Sequence, residues 1–233
     1  MNPSDPVQPR STQGMVKLWQ VLLLLSLTCP LLVFVAVMGT RLGLWSLSLG
    51  FEVLTLQVGW VLAWVGLAAG LVAVMVGIKQ LKQAWPYMLA TLLFGGISMA
   101  AFVGLAGRYS GPGAADVTTD LAEPPAFSRA VMAERRGSGT TPVACTGLEP
   151  VMRQSAPENA LYAMQQAGFT AYGTSAFRAD GYRESFWFGQ THHVAIRIRP
   201  GRTDVRVAAR YPVEDGGQSC LLAKAVVDAL TPR

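Results

Sequence analysis

Three long runs without a charged residue set the terms for everything else in this chain. Residues 18–38 read LWQVLLLLSLTCPLLVFVAVM, residues 53–77 read VLTLQVGWVLAWVGLAAGLVAVMVG, and residues 87–107 read YMLATLLFGGISMAAFVGLAG. About 20 helical residues cross a hydrocarbon core, so each run is long enough to span. Helix is the form expected, because lipid supplies no partners for free backbone groups. The first run is longer than the apolar stretch of a signal peptide and no A-x-A site follows it, so it reads as a retained span. Pro30 is expected to kink it. The spans hold no Asp, Glu, Lys, Arg or His. A proton relay or ion pathway usually needs such groups, which argues against a transporter built from this chain alone.

Charge gives these spans a direction. Residues 1–108 carry six Lys/Arg against two Asp/Glu, and residues 109–233 carry thirteen against twelve. Arg10, Lys17, Lys79 and Lys82 flank one side of the spans, whereas Arg41 and Arg108 flank the other. The excess favours a cytoplasmic N-terminal tail over residues 1–17 and places the C-terminal half outside, in the periplasm of an inner-membrane protein. Because that half is close to neutral, a nucleic-acid partner is not expected. Membrane lipid, and possible membrane-protein partners, are the expected contacts. Gly66 and Gly70 form a small-xxx-small pattern, with Gly95, Gly96, Gly104 and Gly107 in the third span. Such faces serve either packing within the bundle or docking to another membrane protein. Trp45, Trp60, Trp85 and Tyr87 suit interfacial positions, and Glu52 suits the start of the second helix.

After Arg108 the composition changes. Residues 109–142 are expected as an extended arm and loop, with turn formers over 110–125 and again over 135–142. Residues 143–233 are expected as an α+β core. Ser155-Ala-Pro-Glu158 has the form of a capping box, which predicts a helix to about Ala167 that Gly168 stops. Residues 170–177 and 182–188 read as a hairpin around Arg178-Ala-Asp-Gly181. Residues 191–199 and 203–210 read as a second hairpin, and Gln218–Leu230 as a closing helix. The fold class is therefore α+β: a three-helix transmembrane bundle (residues 18–108), then a soluble domain with a four-stranded antiparallel sheet and two helices.

The second hairpin carries five arginines within RIRPGRTDVRVAAR. Alternation puts Val194, Ile196 and Ile198 on one face and His193, Ala195, Arg197 and Arg199 on the other. Val205 and Val207 likewise oppose Asp204, Arg206, Ala208 and Arg210. A turn centred on Gly201-Arg202 would set Arg199 opposite Asp204, Arg197 opposite Arg206 and His193 opposite Arg210. One reading is a solvated face, where repulsion between charges in water is only about 1 kcal/mol at 4 Å. The other is an anion-binding face of Arg197, Arg206, Arg210 and His193, with a lipid head group as the nearest abundant anion.

Other candidates are sparse. Neighbouring His192 and His193 point to opposite faces of a strand and lack further ligands, so no metal and no cofactor is expected. Asp116-Val-Thr-Thr-Asp120 suits Asx and Ser/Thr turns better than a cation site. Cys145 and Cys220 would both lie in an oxidising compartment and could pair, closing a loop worth roughly 4 kcal/mol in the chain-entropy model. No phosphate loop, Rossmann fingerprint or hydrolase motif occurs.

The stretch Asp116-Val-Thr-Thr-Asp120 with Pro124-Pro125-Ala-Phe127, and then Arg206-Val-Ala-Ala-Arg210 with Asp215 and Gly217, resembles the DUF1499 family over about 114–230. That family is expected to carry serines where Val207 and Ala209 stand here, and Asn at Ser219. The resemblance implies no activity, but it singles out Asp116, Thr118, Thr119, Asp120, Arg206, Arg210, Asp215 and Gly217. Three functions stay open at this point. The first is a non-enzymatic envelope module meeting an anionic partner through its arginine face. The second is a hydrolase-like enzyme using Asp116 or Asp120 with His193, and the third is a structural subunit of a membrane assembly.

Overall fold

A computed structural model describes residues 10–109, 115–135, 141–211 and 215–231. The chain divides into two units, Met1–Gly104 and Leu105–Arg233.

The first unit is helical. Helix α1 spans Arg10–Arg41 and runs on through Pro30. A π-helical segment, Ser48–Gly59, leads directly into α2, Trp60–Gly77. A short turn at Ile78–Gln80 then opens α3, Leu81–Tyr109. The stretches Lys17–Arg41, Ser48–Gly77 and Ala84–Leu105 are long and apolar enough to cross a membrane. The second begins earlier than the expected residue 53. Ser46 Oγ accepts the Leu49 N–H at 3.3 Å and satisfies a free donor of the first turn, so Glu52 lies inside the helix rather than at its start.

Glycines let these helices close on one another. A Cβ at Gly95 would lie 2.4 Å from the Gly66 carbonyl oxygen, and one at Gly70 would lie 3.1 Å from Leu92 Cα. Gly66 and Gly70 are thus spent on packing α2 inside this bundle, the close backbone approach that small residues permit. Gly96 and Gly104 face open space. Cys29, Ala63, Met99 and Phe102 fill one part of the interior, and Trp19, Leu22, Ala69, Ala73 and Ala84 another. Leu24, Phe34 and Ile97 point outward and are exposed.

The second unit is α+β with five strands, one more than the sequence suggests. In chain order they are β1 (Asp116–Thr118), β2 (Thr170–Ser175), β3 (Arg178–Glu184), β4 (Thr191–Arg199) and β5 (Arg202–Ala209). Helices α4 (Arg129–Glu134), α5 (Pro157–Gln166) and α6 (Gln218–Leu230) complete it. The sheet is antiparallel, in the order β1-β5-β4-β3-β2. The unexpected strand lies in what reads as an extended arm. Three residues are too few to show a period, and β1 exists because β5 offers it an edge, pairing Asp116 with Ala208 and Thr118 with Arg206. Helix α4 is likewise additional, and Ser128 Oγ caps it by accepting the Val131 N–H. Part of the expected 135–142 loop lies outside the described residues.

Two turns differ from expectation. Arg178-Ala-Asp-Gly181 is strand rather than turn, and the chain reverses at Ala176-Phe177 instead. Gly181 is needed because a Cβ there would lie 2.7 Å from the Thr170 carbonyl oxygen. In the second hairpin the loop is Pro200-Gly201, with Gly201 at φ 73°. Proline presets the first position of such a turn and glycine supplies the positive φ of the second. This shifts the register by two residues from the expected one. Arg197 lies opposite Asp204, Ala195 opposite Arg206, His193 opposite Ala208, and Arg199 opposite Arg202. A two-residue shift keeps every side chain on its face, so the alternation survives while the Arg197–Arg206 pairing does not.

One face of the sheet carries the core. Val117, Ala179, Val194, Ile196, Ile198, Val205 and Val207 pack against Ala160, Ala163 and Met164 of α5 and Leu222, Ala223, Val226 and Leu230 of α6. Ser155 does not cap α5, whose N-cap is Ala156 with Pro157 in its first turn. Its Oγ instead lies 3.1 Å from Thr203 Oγ1, tying the segment before the helix to β5. A disulfide joins Cys145 to Cys220 on α6, with Cα atoms 5.9 Å apart.

Candidate functional site

The opposite face of the sheet holds every arginine of the second hairpin, and residues from 115–135 cover its centre. Phe127 and Val131 pack on Ala195 and Ala208 at its centre. Around them lie two ion clusters.

The first surrounds Asp204, which is fully buried on β5. Its Oδ2 accepts from Arg197 Nη2 at 3.2 Å and Arg199 Nη2 at 2.6 Å, and its Oδ1 from Arg202 Nε at 2.6 Å. Asp120 lies on the other side of the same guanidiniums, 3.0 Å from Arg197 Nη2 and 2.9 Å from Arg199 Nη2. Glu123 reaches Arg199 Nη1 at 2.9 Å. Three carboxylates therefore balance three arginines. Asp120 is fixed by its own turn, where its Oδ1 accepts the N–H groups of Ala122 and Glu123, both at 3.1 Å. The Thr118 hydroxyl accepts the Asp120 N–H at 3.2 Å, and Thr119 Oγ1 accepts the Val205 N–H at 2.9 Å. Desolvation opposes ionisation of Asp120, but the Glu123 N–H and the guanidiniums of Arg199, Arg202 and Arg197 outweigh it and hold its carboxyl below the ordinary range.

The second cluster centres on Asp116, buried on β1. Arg206 grips it with both arms of its fork, Nε to Oδ1 at 2.9 Å and Nη2 to Oδ2 at 2.8 Å. Arg135 adds Nη2 to Oδ2 at 3.0 Å and sends its Nε to the Ala209 carbonyl at 3.1 Å. The Phe127 ring takes both guanidiniums, with Arg206 Cζ 4.7 Å and Arg135 Cζ 5.1 Å from its centroid. Burial pulls the Arg135 pKa down, and the Asp116 charge offsets only part of that. Sequence reasoning places Arg135 in a loop and gives it no part. No local pattern marks it, because both its partners lie on strands distant in the chain.

His193 and Arg210 share the remaining corner. His193 is completely buried, and among the described residues neither ring nitrogen has a hydrogen-bond partner. Tyr172 stacks over it with centroids 6.3 Å apart, and Phe127 meets its edge at 6.5 Å. Glu134 Oε2 lies 3.6 Å from its Nε2. Burial lowers the His193 pKa to about 4, with Glu134 opposing the fall and Arg135, Arg210 and His192 adding to it. Since His193 pairs with Ala208, Arg210 is the next β5-side residue on that face. Its Nε is buried without a hydrogen-bond partner among the described residues, and its guanidinium sits 5.6 Å from the Tyr211 ring centroid. Of Arg197, Arg199, Arg202, Arg206 and Arg210, only Arg210 makes no ion pair among the described residues.

These placements separate the carboxylates from the histidine. Asp116 lies two strands away from His193 across β5, about 10 Å by strand spacing. Asp120 sits with Arg197 and Arg199, at least four residues along β4, or about 13 Å. Neither shares a hydrogen bond with His193. His192 points to the core face and meets Asp215, its Nε2 lying 3.3 Å from Oδ2. Asp215 also accepts the N–H groups of Gly217 and Ser219 at 3.0 and 2.8 Å and the Ser219 hydroxyl at 2.5 Å, so it secures the start of α6. Desolvation raises its pKa, but the His192 and Ser219 bonds more than reverse this. Gly217 adopts φ 79°, a left-handed conformation that suits glycine. Among the described residues no three His, Cys, Asp or Glu side chains gather as metal ligands.

The family model for DUF1499, a protein of unknown function, matches residues 116–230. Its limits coincide with the first residue of β1 and the last of α6. No curated protein and no solved structure matches the chain.

Proposed function

We propose that this chain, a member of the DUF1499 family through its residues 116–230, is a multi-pass inner-membrane protein whose periplasmic domain is a non-enzymatic binding module for an anionic group. The three apolar helices and the excess of Lys and Arg on one side of them support the membrane reading. The Cys145–Cys220 bond supports an oxidising compartment for the second unit.

The observation that carries the binding reading is the corner of Arg210 and His193. Buried polar groups are nearly always hydrogen-bonded, and three buried nitrogens here have no hydrogen-bond partner among the described residues. Arg197 and Arg206, the other arginines the sequence offers, are already engaged by Asp120, Asp204 and Asp116. An incoming phosphate or carboxylate would therefore meet Arg210 first. Its charge would also favour protonation of His193 and turn that ring into a second donor.

Titration of the full-length protein in nanodiscs with inorganic phosphate tests this. Binding is expected to weaken at least about tenfold in Arg210→Ala, the loss of one charge-assisted contact, and to stay unchanged in Arg202→Ala. Equal affinity in the two variants, or no binding to the wild type, overturns the reading.

A further inference from the structure

One end of the sheet gathers aromatic side chains that the fold does not bury. The β3–β4 connection reads Ser-Phe-Trp-Phe-Gly-Gln over 185–190, and in it Phe186 is 79% exposed and Trp187 66% exposed. Their rings pack edge to face with centroids 5.4 Å apart, which gives the tip a defined apolar shape. Tyr211, 46% exposed, leaves β5 at the same end, because the Arg210 N–H bonds to the carbonyl of Thr191, where β4 begins.

The chain arriving from α3 enters at that end too. Asp116 pairs with Ala208, and the Ala209 N–H bonds to the Ala115 carbonyl. Only residues 110–114 separate Tyr109, the last residue of α3, from Ala115, a reach of at most about 20 Å. The opposite end carries the Pro200-Gly201 and Ala176-Phe177 turns and has no such tether.

From this we infer that the Phe186–Trp187 hairpin tip, with Tyr211 beside it, docks into the head-group interface of the bilayer that holds the three helices. This inference rests on the membrane reading above and adds a surface to it. Tryptophan, with a large apolar body and one N–H, favours that interface, and tyrosine behaves likewise. Arg210, over the Tyr211 ring, brings a cation to the depth of the lipid phosphates. Glu184, paired with Thr191 at the base of the hairpin, would then stay on the water side of the tip. The docked hairpin would hold the Arg210–His193 corner against the membrane surface, which makes a lipid phosphate the anion that corner meets.

The test uses the full chain with Cys29→Ala, reconstituted in vesicles of phosphatidylethanolamine and phosphatidylglycerol. A nitroxide is attached through Phe186→Cys or, in a second protein, through Phe177→Cys at the far end. Collision with oxygen relative to a water-soluble nickel chelate is expected to be several-fold higher at position 186 than at 177. A label at Tyr211→Cys should lose its oxygen preference when Phe186 and Trp187 are both changed to Ser. Equal, water-like ratios at 186 and 177 overturn the inference, as do lipid-like ratios at both. An immobilised label at 186 with no gain in oxygen collision points to a second copy or another protein and overturns it as well. Carbonate extraction separates the two readings. Protein stripped from the vesicles sinks both, whereas protein retained with a water-exposed position 186 sinks only the docking.

Discussion

The two faces of the second unit's sheet are built on opposite principles from one and the same strands. On the α5–α6 side, Ile196, Ile198, Val205 and Val207 meet Met164, Leu222 and Val226 in an aliphatic core. On the other side Asp116, Asp204, Arg135 and Arg206 are nearly as inaccessible, yet they are charged. An aliphatic core is stabilised by removal of apolar area from water and tolerates imperfect partners, whereas buried charges are stable only while each is matched. The comparison therefore teaches where the fold is brittle. The core face can lose a methyl group gradually, but the polar face fails when a loss strands a buried charge.

The strongest way to break the contrast is Asp116→Ala. It would take from Arg206, at 13% side-chain exposure, the carboxylate that its fork grips, while the Arg135 guanidinium stays on the same Phe127 ring. Loss of one partner from a buried ion pair costs about 3–5 kcal/mol. Chemical denaturation is expected to show a loss in that range, and Arg206→Met in the Asp116→Ala background should recover part of it. A loss below about 1 kcal/mol would mean that water reaches the cluster and that the two faces differ less than their burial indicates.

Acid should sharpen the comparison next. His193 has a pKa of about 4 in the folded protein against about 6.5 unfolded, because burial disfavours the imidazolium. Between those values the unfolded chain binds more protons, so stability falls as pH falls from 6.5 and is unaffected above it. Acidification from pH 7 to pH 5 should cost about 2 kcal/mol, and His193→Leu should remove that dependence. Asp120 and Asp215 have lowered pKa values and act only below about pH 3.8, so they do not blur this window. An unchanged slope in His193→Leu would show that other groups carry the dependence.

How much of this the sequence declares follows the same division. Helix α6 and the alternation along β4 and β5 are legible because aliphatic periodicity is a local signal. The register is not, because it depends on which two of four residues make the turn, and Pro200-Gly201 wins over Gly201-Arg202 through proline's fixed φ. Gly181 looks like a turn residue and is instead a point of close approach to β2. The closure of the polar face is the least legible. Asp116 and Arg206 are 90 residues apart, and nothing near either shows that they meet. The arginine run reads as exposed or anion-seeking because its carboxylates, Asp120 and Glu123 among them, sit in a stretch whose turn formers suggest an arm.

The smallest expected effect is the most pointed check on that closure. Arg202 is 34% exposed at the turn and shares Asp204 with Arg197 and Arg199. Its removal leaves Asp204 still bonded twice at Oδ2, and no buried charge is stranded. Arg202→Ala should therefore cost under about 1 kcal/mol, and added salt should shrink even that. Asp116→Ala and Arg202→Ala both remove one charge from an Arg–Asp cluster on the same face. They should differ several-fold in thermal or denaturant stability, because only the first removes the buried carboxylate around which a cluster is built. Similar losses would mean that the polar face acts as one cooperative network, in which exposure at the rim does not protect the centre.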